Sequence, residues 1–196
     1  DYNPRLALHR VYRYRLEGME FWNEPDHEQF ESWLNLFVGT YDARNFARLE
    51  EGKNPIRTIL RATPWIENGR LVGFEIIGEA FLWNQVRRVA NALFQLSTGE
   101  LTAGQIQSAI ENPHTPVDFG VAPSQWLVLW GVEWADFPLP ESTHSTLFSP
   151  PPQGRSAERT KMGRWQQAAQ HEMKTMLYNE WAEIGTLDDA YHDKSK

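Results

Sequence analysis

Cysteine is missing from this 196-residue chain. Its absence excludes disulfides, cysteine-based zinc sites and thiol catalysis, and it fits a cytoplasmic protein. No run of 18 apolar residues occurs, so neither a membrane-spanning helix nor a membrane partner is expected. The first residues, Asp1-Tyr2-Asn3-Pro4-Arg5, do not have the shape of a signal peptide. A start without methionine fits a chain processed, trimmed or cut from a longer product. The six histidines are scattered without metal-ligand spacing, so no metal site is expected.

Net positive charge is also lacking. The formal balance is −7, which on its face disfavours a polyanionic partner, because phosphate contacts supply most nucleic-acid affinity. The distribution argues otherwise. Residues 1–16 hold four arginines against Asp1, and residues 41–61 hold five bases against three acids. Residues 81–99 hold Arg87 and Arg88 and no acid, while residues 17–40 hold six acids and no base. If the basic islands converge in space, they form one basic face on an acidic body.

What the chain does have is apolar material, 41% of residues with nine tryptophans and ten phenylalanines, enough for a packed core. Residues 10–17 alternate polar with apolar or aromatic side chains and read as a half-buried strand. Pro25-Asp26 opens a helix: Asp26 is placed to cap it, Gln29 stands in a capping-box position, and Phe30, Trp33, Leu34, Phe37 and Val38 recur at helical spacing up to Gly39. Residues 56–66 and 70–80 are strand-like, and Asn68-Gly69 between them is a hairpin signal. A second helix spans residues 82–97, with Leu82, Val86, Val89, Leu93 and Leu96 on one face. Thr102 caps a third over 102–111, and residues 126–134 form a buried strand.

The order β-α-β-β-α-α-β predicts an α+β fold: a ferredoxin-like antiparallel sheet covered by helices on one face, its other face free to meet a domain or a ligand. This domain is expected to span residues 1–137. A proline-rich linker follows over 138–156, with Pro138, Pro140 and Pro150-Pro151-Pro152, and then a helical tail over 157–196 that carries Met162, Trp165, Ala169, Met173 and Met176. The tail reads as a packed or partner-docking helix.

The strongest motif is residues 81–93, Phe-Leu-Trp-Asn-Gln-Val-Arg-Arg-Val-Ala-Asn-Ala-Leu. It resembles the Phe-Leu-x-x-Met-Val-Arg-Asn-Ile-Val-Gly stretch of the TruA family of tRNA pseudouridine synthases. Phe81, Leu82, Val86 and Arg87 match, while Gln85, Arg88 and Asn91 stand where that family has Met, Asn and Gly. Three more stretches match in the same order. Residues 4–14 resemble Ala-Arg-Phe-Ser-Ala-x-x-Arg-x-Tyr-x-Tyr. Residues 39–46 with 54–59 resemble Gly-x-x-Asp-Phe-x-x-Phe and Pro-x-Arg-x-Ile. Residues 122–129 resemble Ala-Pro-x-x-Gly-Leu-x-Leu, with Trp126 in place of the Gly. Together they cover about residues 1–136.

The resemblance implies isomerisation of uridine to pseudouridine in tRNA, at anticodon stem-loop uridines, without a cofactor and often as a homodimer. Such a reaction needs the base flipped into a closed pocket. Carried over residue by residue, Tyr12 falls on the tyrosine that packs against the base, Arg87 on the arginine that pairs with a catalytic aspartate, and Leu127 on the aliphatic wall. The aspartate itself belongs to a Gly-Arg-Thr-Asp-x-Gly-Val-His segment upstream, which these residues do not contain. Asp1, Asp42 and Asp118 stand in the wrong context to replace it. The missing N-terminal catalytic half is therefore an expected partner, and the chain by itself is expected to be inactive.

Read without the resemblance, Arg87 is a solvated arginine at a helix start, Tyr12 a half-buried sheet tyrosine, and Leu127 serves core packing as readily as pocket lining. Arg10, Arg13, Lys53, Arg57 and Arg88 are candidate phosphate contacts, and Trp83 is a candidate for base stacking. The alternative to an enzyme is a non-catalytic RNA-binding or dimerisation domain on the same fold.

Overall fold

The computed structural model describes residues 6–135, 150–152 and 159–192, with side chains of the last segment over 161–181. The chain divides into two compact units, Asp1–Phe137 and Pro138–Lys196.

In the first unit the elements run β1 (His9–Tyr14), α1 (His27–Asn35), β2 (Gly39–Asp42), β3 (Ile56–Glu67), β4 (Arg70–Gly78), α2 (Gln85–Thr98), α3 (Ala103–Glu111) and β5 (Leu127–Glu133). The five strands form one antiparallel sheet in the order β2-β3-β4-β1-β5. Leaving β2 aside, β1-α1-β3-β4-α2-β5 is the split β-α-β arrangement of a ferredoxin-like sheet. The sequence reading missed β2, a four-residue edge strand on β3 in which Tyr41 stands opposite Arg57.

Local chemistry accounts for the boundaries. Asn68 and Gly69 both take positive φ (52° and 74°), the twist that a two-residue hairpin between β3 and β4 requires. Asp26 caps α1 by accepting from the backbone N–H of Glu28 and Gln29. The helix ends at Asn35, short of the expected Val38, and the next turn tightens, with the N–H of Phe37 and Val38 reaching back only three residues to Leu34 and Asn35. Thr102 and Gln105 close a reciprocal capping box on α3. β1 stops at Tyr14 instead of continuing to Glu17, because Leu16–Gly18 turns into a short 3-10 segment.

The core lies between the sheet and the helices. Phe30, Phe37, Phe46, Phe74 and Phe119 are fully buried; burying a side chain of this size contributes about 2 kcal/mol. Phe119 stacks on Phe46 at 4.8 Å between centroids, and Phe37 meets Phe46 edge-on at 5.3 Å. Arg15 and Glu17 are buried as an ion pair at 2.6 Å, and Arg70 joins them at 2.9 Å.

In the second unit, α4 (Arg159–His192) falls within the expected helical tail over 157–196. Trp165, Ala169, Met173 and Met176 recur on one side of it at helical spacing, and Tyr178 meets Trp181 edge-on at 6.1 Å. The proline-rich linker falls, apart from residues 150–152, outside the described residues. No helix among the described residues is long and apolar enough to cross a membrane.

Candidate active site

Helix α2 starts three residues later than the periodicity of Leu82, Val86 and Val89 suggests, and the difference builds the site. Residues 81–84 form an arch between β4 and α2. Asn84 closes it in the left-handed region (φ 61°), so Leu82 precedes the helix and packs beside Ala43 and Ala47. The backbone N–H of Leu82 donates to Gln85 Oε1 at 2.9 Å, and that of Gln85 to Leu82 O at 3.1 Å. Gln85 thus ties the arch to the first turn of α2.

A depression of about 350 Å³ opens against this arch, within the size range of small-molecule sites, about 300–1,000 Å³. Residues 81–87 form one wall, and Tyr12 of β1 and Leu127 of β5 form the other. Tyr12, Arg87 and Leu127, far apart in sequence, therefore line one cavity, with Trp83 at the same wall. Phe81 and Asn84 also line it, and the residue-type reading assigned them no role. Phe81 meets the Tyr12 ring edge-on at 5.1 Å. Burial pushes the Tyr12 hydroxyl above the ordinary tyrosine range, with the Arg10 charge pulling partly the other way. Tyr12 is therefore protonated at neutral pH and able to donate.

Arg87 is oriented from both sides. Its Nε donates to Ala122 O at 2.7 Å and its Nη1 to Asn84 Oδ1 at 3.1 Å, while the backbone N–H of Ala122 donates to Arg87 O at 3.1 Å. Among the described residues no carboxylate pairs with it. The loop carrying Ala122 is anchored along its length. Asn91 and Gln95 donate to Phe119 O at 2.6 and 3.2 Å, and the Tyr14 hydroxyl donates to Pro123 O at 2.8 Å. Asn91, in the position where the resembling motif has Gly, is thus a loop anchor. Trp126, the other departure from that motif, is fully buried over Gly18, where an added Cβ would come within 2.4 Å of its ring. The absent side chain at 18 makes the room that the indole fills.

The remaining candidates are placed elsewhere or already engaged. Side chains alternate along β1, so Arg13 faces away from Tyr12. Its guanidinium bonds Glu75 at 2.9 Å and lies 4.0 Å from the Trp130 ring and 5.4 Å from Trp65. The structure does not bring Arg13 to the cavity, because an odd-even step in a strand is a change of face. Arg10 donates to Ala7 O and Glu79 O. Arg57 donates to Asn54 O and Ile56 O, and burial holds it below the ordinary arginine value. Arg88 pairs with Asp118 at 2.5 Å. The Gly120 N–H and then Arg88 lower the Asp118 carboxyl. Burial opposes ionisation of Asp42, but the Arg44 hydrogen bonds and charge, with His114, outweigh it and hold that carboxyl low. Both acids are bound to their own arginines. Lys53 is exposed. Trp83 is 53% exposed, and the Arg48 guanidinium, which the sequence reading did not single out, lies 4.5 Å from its ring centroid.

A family model described as tRNA pseudouridine synthase matches residues 34–135. The chain is 35% identical to tRNA pseudouridine synthase A of Thermococcus onnurineus over 135 residues, which is 68% of this chain and 48% of that protein. It is 36% identical to the protein of the same name from Thermococcus kodakarensis, with the same coverage, and 33% identical to that from Methanoculleus marisnigri over 68% of this chain and 47% of the relative. The chain spans about half the length of these curated relatives.

Proposed function

Because the chain belongs to the tRNA pseudouridine synthase A (TruA) family, we propose that it supplies much of the lining of the uridine pocket of such an enzyme. In this reading it acts on uridines of the tRNA anticodon stem-loop, and the catalytic aspartate comes from a segment outside these residues.

The observation that carries the reading is the state of Arg87. A guanidinium fixed by two neutral oxygen acceptors, at the wall of a cavity and without a carboxylate among the described residues, is built to receive an anion. A carboxylate arriving there would be held ionised by the opposite charge and oriented by the guanidinium plane. Tyr12 would pack against the flipped base, backed by the edge-on Phe81 ring. Its hydroxyl, protonated at neutral pH, is available as a donor. Leu127 would close the apolar side and exclude water. In the overall reaction the N1–C1′ bond of the nucleoside breaks, a C5–C1′ bond forms, and the proton lost from C5 is balanced by one gained at N1. The RNA contacts fall to Trp83 and Lys53 before Arg10, Arg57 and Arg88, each of which already spends a guanidinium donor on a neighbouring protein oxygen. A homodimer is part of the same proposal.

The test is tritium release from tRNA labelled at uridine C5. The complete enzyme is expected to release it, and Arg87→Lys and Tyr12→Phe variants to slow release by about 100-fold or more. The 196-residue chain alone is expected to bind tRNA without releasing label. Conversion by this chain alone would overturn the assignment of the aspartate, and binding without conversion in the complete protein would favour a non-catalytic RNA-binding domain.

A further inference from the structure

We propose that Arg48 and Trp83 form a nucleotide subsite at the mouth of the pocket, which takes the base and phosphate of the single-stranded RNA residue next to the target uridine. The proposal rests on the pocket reading above and adds a site to it.

Trp83 lines the pocket and is the only large aromatic of the 81–84 arch that is more than half exposed. Its backbone is fixed: the Arg48 N–H donates to Trp83 O at 2.8 Å, an isolated antiparallel bridge joining the arch to the segment after Phe46. The Arg48 guanidinium covers one face of the indole at 4.5 Å. The two side chains therefore form a preorganised stack, held at both the backbone and the ring.

Most of the other arginines are committed to carboxylates, and Arg10, Arg57 and Arg87 spend donors on neutral oxygens. Arg13 and Arg61 share Glu75, Arg44 holds Asp42, Arg70 holds Glu17 and Arg88 holds Asp118. Among the described residues no carboxylate pairs with Arg48. A guanidinium stacked on a ring uses its face and leaves its edge donors directed outward, which is the geometry that takes a phosphate. The opposite face of an exposed indole takes a base, and stacking there tolerates any base because every base has a π-face. A base flipped into the pocket leaves its neighbour unstacked at the rim, and this platform lies at that rim.

The experiment uses the full 196-residue chain and an RNA hairpin with 2-aminopurine beside the target uridine, 5′ in one RNA and 3′ in another, with a fully paired duplex as control. Binding is expected to quench the probe in one of the two hairpins. Trp83→Leu should abolish the quench and weaken hairpin binding about tenfold, the loss of one stacked base, while Trp83→Phe keeps most of both. Arg48→Gln should keep the quench and flatten the salt dependence by about one phosphate contact. If Trp83→Leu and Arg48→Gln leave affinity, quench and salt slope unchanged while Tyr12→Ala still weakens binding, the subsite is wrong and the pocket reading stands. If the parent chain binds no hairpin, the pocket reading fails and the subsite with it.

Discussion

Asn84 holds Arg87: its Oδ1 accepts from Arg87 Nη1 at 3.1 Å, from a backbone that sits at φ 61°. One residue thus sets both the start of α2 and the direction of the arginine three positions on.

The two contributions separate by substitution. Asn84→Ala loses the acceptor and puts in the left-handed region a residue that tolerates it less well than asparagine, which costs about 1 kcal/mol. Asn84→Gly loses the acceptor but suits the backbone. Thermal melts should therefore show a lower Tm for the alanine variant and little change for glycine. Tritium release by the complete enzyme should slow in both, since both release Arg87. Parent-like release by the glycine variant would show that the clamp has no positioning value.

Alkaline stability follows from two buried tyrosines. Burial raises the Tyr14 and Tyr41 hydroxyls well above the ordinary value of 10.0, with Arg87 opposing at Tyr14 and Gln85 at Tyr41. The folded chain holds these protons to higher pH than the unfolded chain does. Their contribution is complete below about pH 10 and is lost as pH rises above it. Urea unfolding between pH 8 and 11 should give a plateau and then a decline. Tyr41→Phe should decline less steeply than the parent, and an unchanged slope would count against this origin.

Two glycines predict opposite signs. A Cβ at Gly73 would meet the Tyr14 carbonyl oxygen at 1.9 Å, a backbone atom with no room to move, so Gly73→Ala should force β1 from β4 and sharply lower the Tm. At Gly104, in α3, an added Cβ meets nothing within 4 Å, and Gly104→Ala should stabilise by about 0.5 kcal/mol. Denaturant midpoints of the two variants check the pair.

Where the sequence was readable, one short-range rule decided the outcome. Asn68-Gly69 demanded a hairpin, Thr102 and Gln105 a capped helix, and the alternation in β1 a half-buried strand. The misses came where two rules compete or where the answer is non-local. Leu82 keeps helical spacing with Val86 and Val89, yet Asn84 breaks the helix before it, and no periodicity reports a single left-handed residue. β2 offers four residues, too few to separate alternation from chance, and pairing with β3 supplies the rest. The motif containing Arg87 was legible, but its lack of a carboxylate depends on Asp118 being committed to Arg88 and Asp42 to Arg44. Arg13 looked like a phosphate contact until Glu75 and two tryptophans enclosed it from other strands. Arg48 carried no motif at all, and only its approach to Trp83 distinguishes it.

The double tie between Arg87 and Ala122 has a mechanical consequence. Side chain and main chain of Arg87 both grip one residue of the loop that runs, five residues later, into Leu127. An anion that draws the guanidinium forward also pulls on that loop, and so on the aliphatic wall. An anion at Arg87 and the placement of Leu127 are thereby linked through one residue, Ala122.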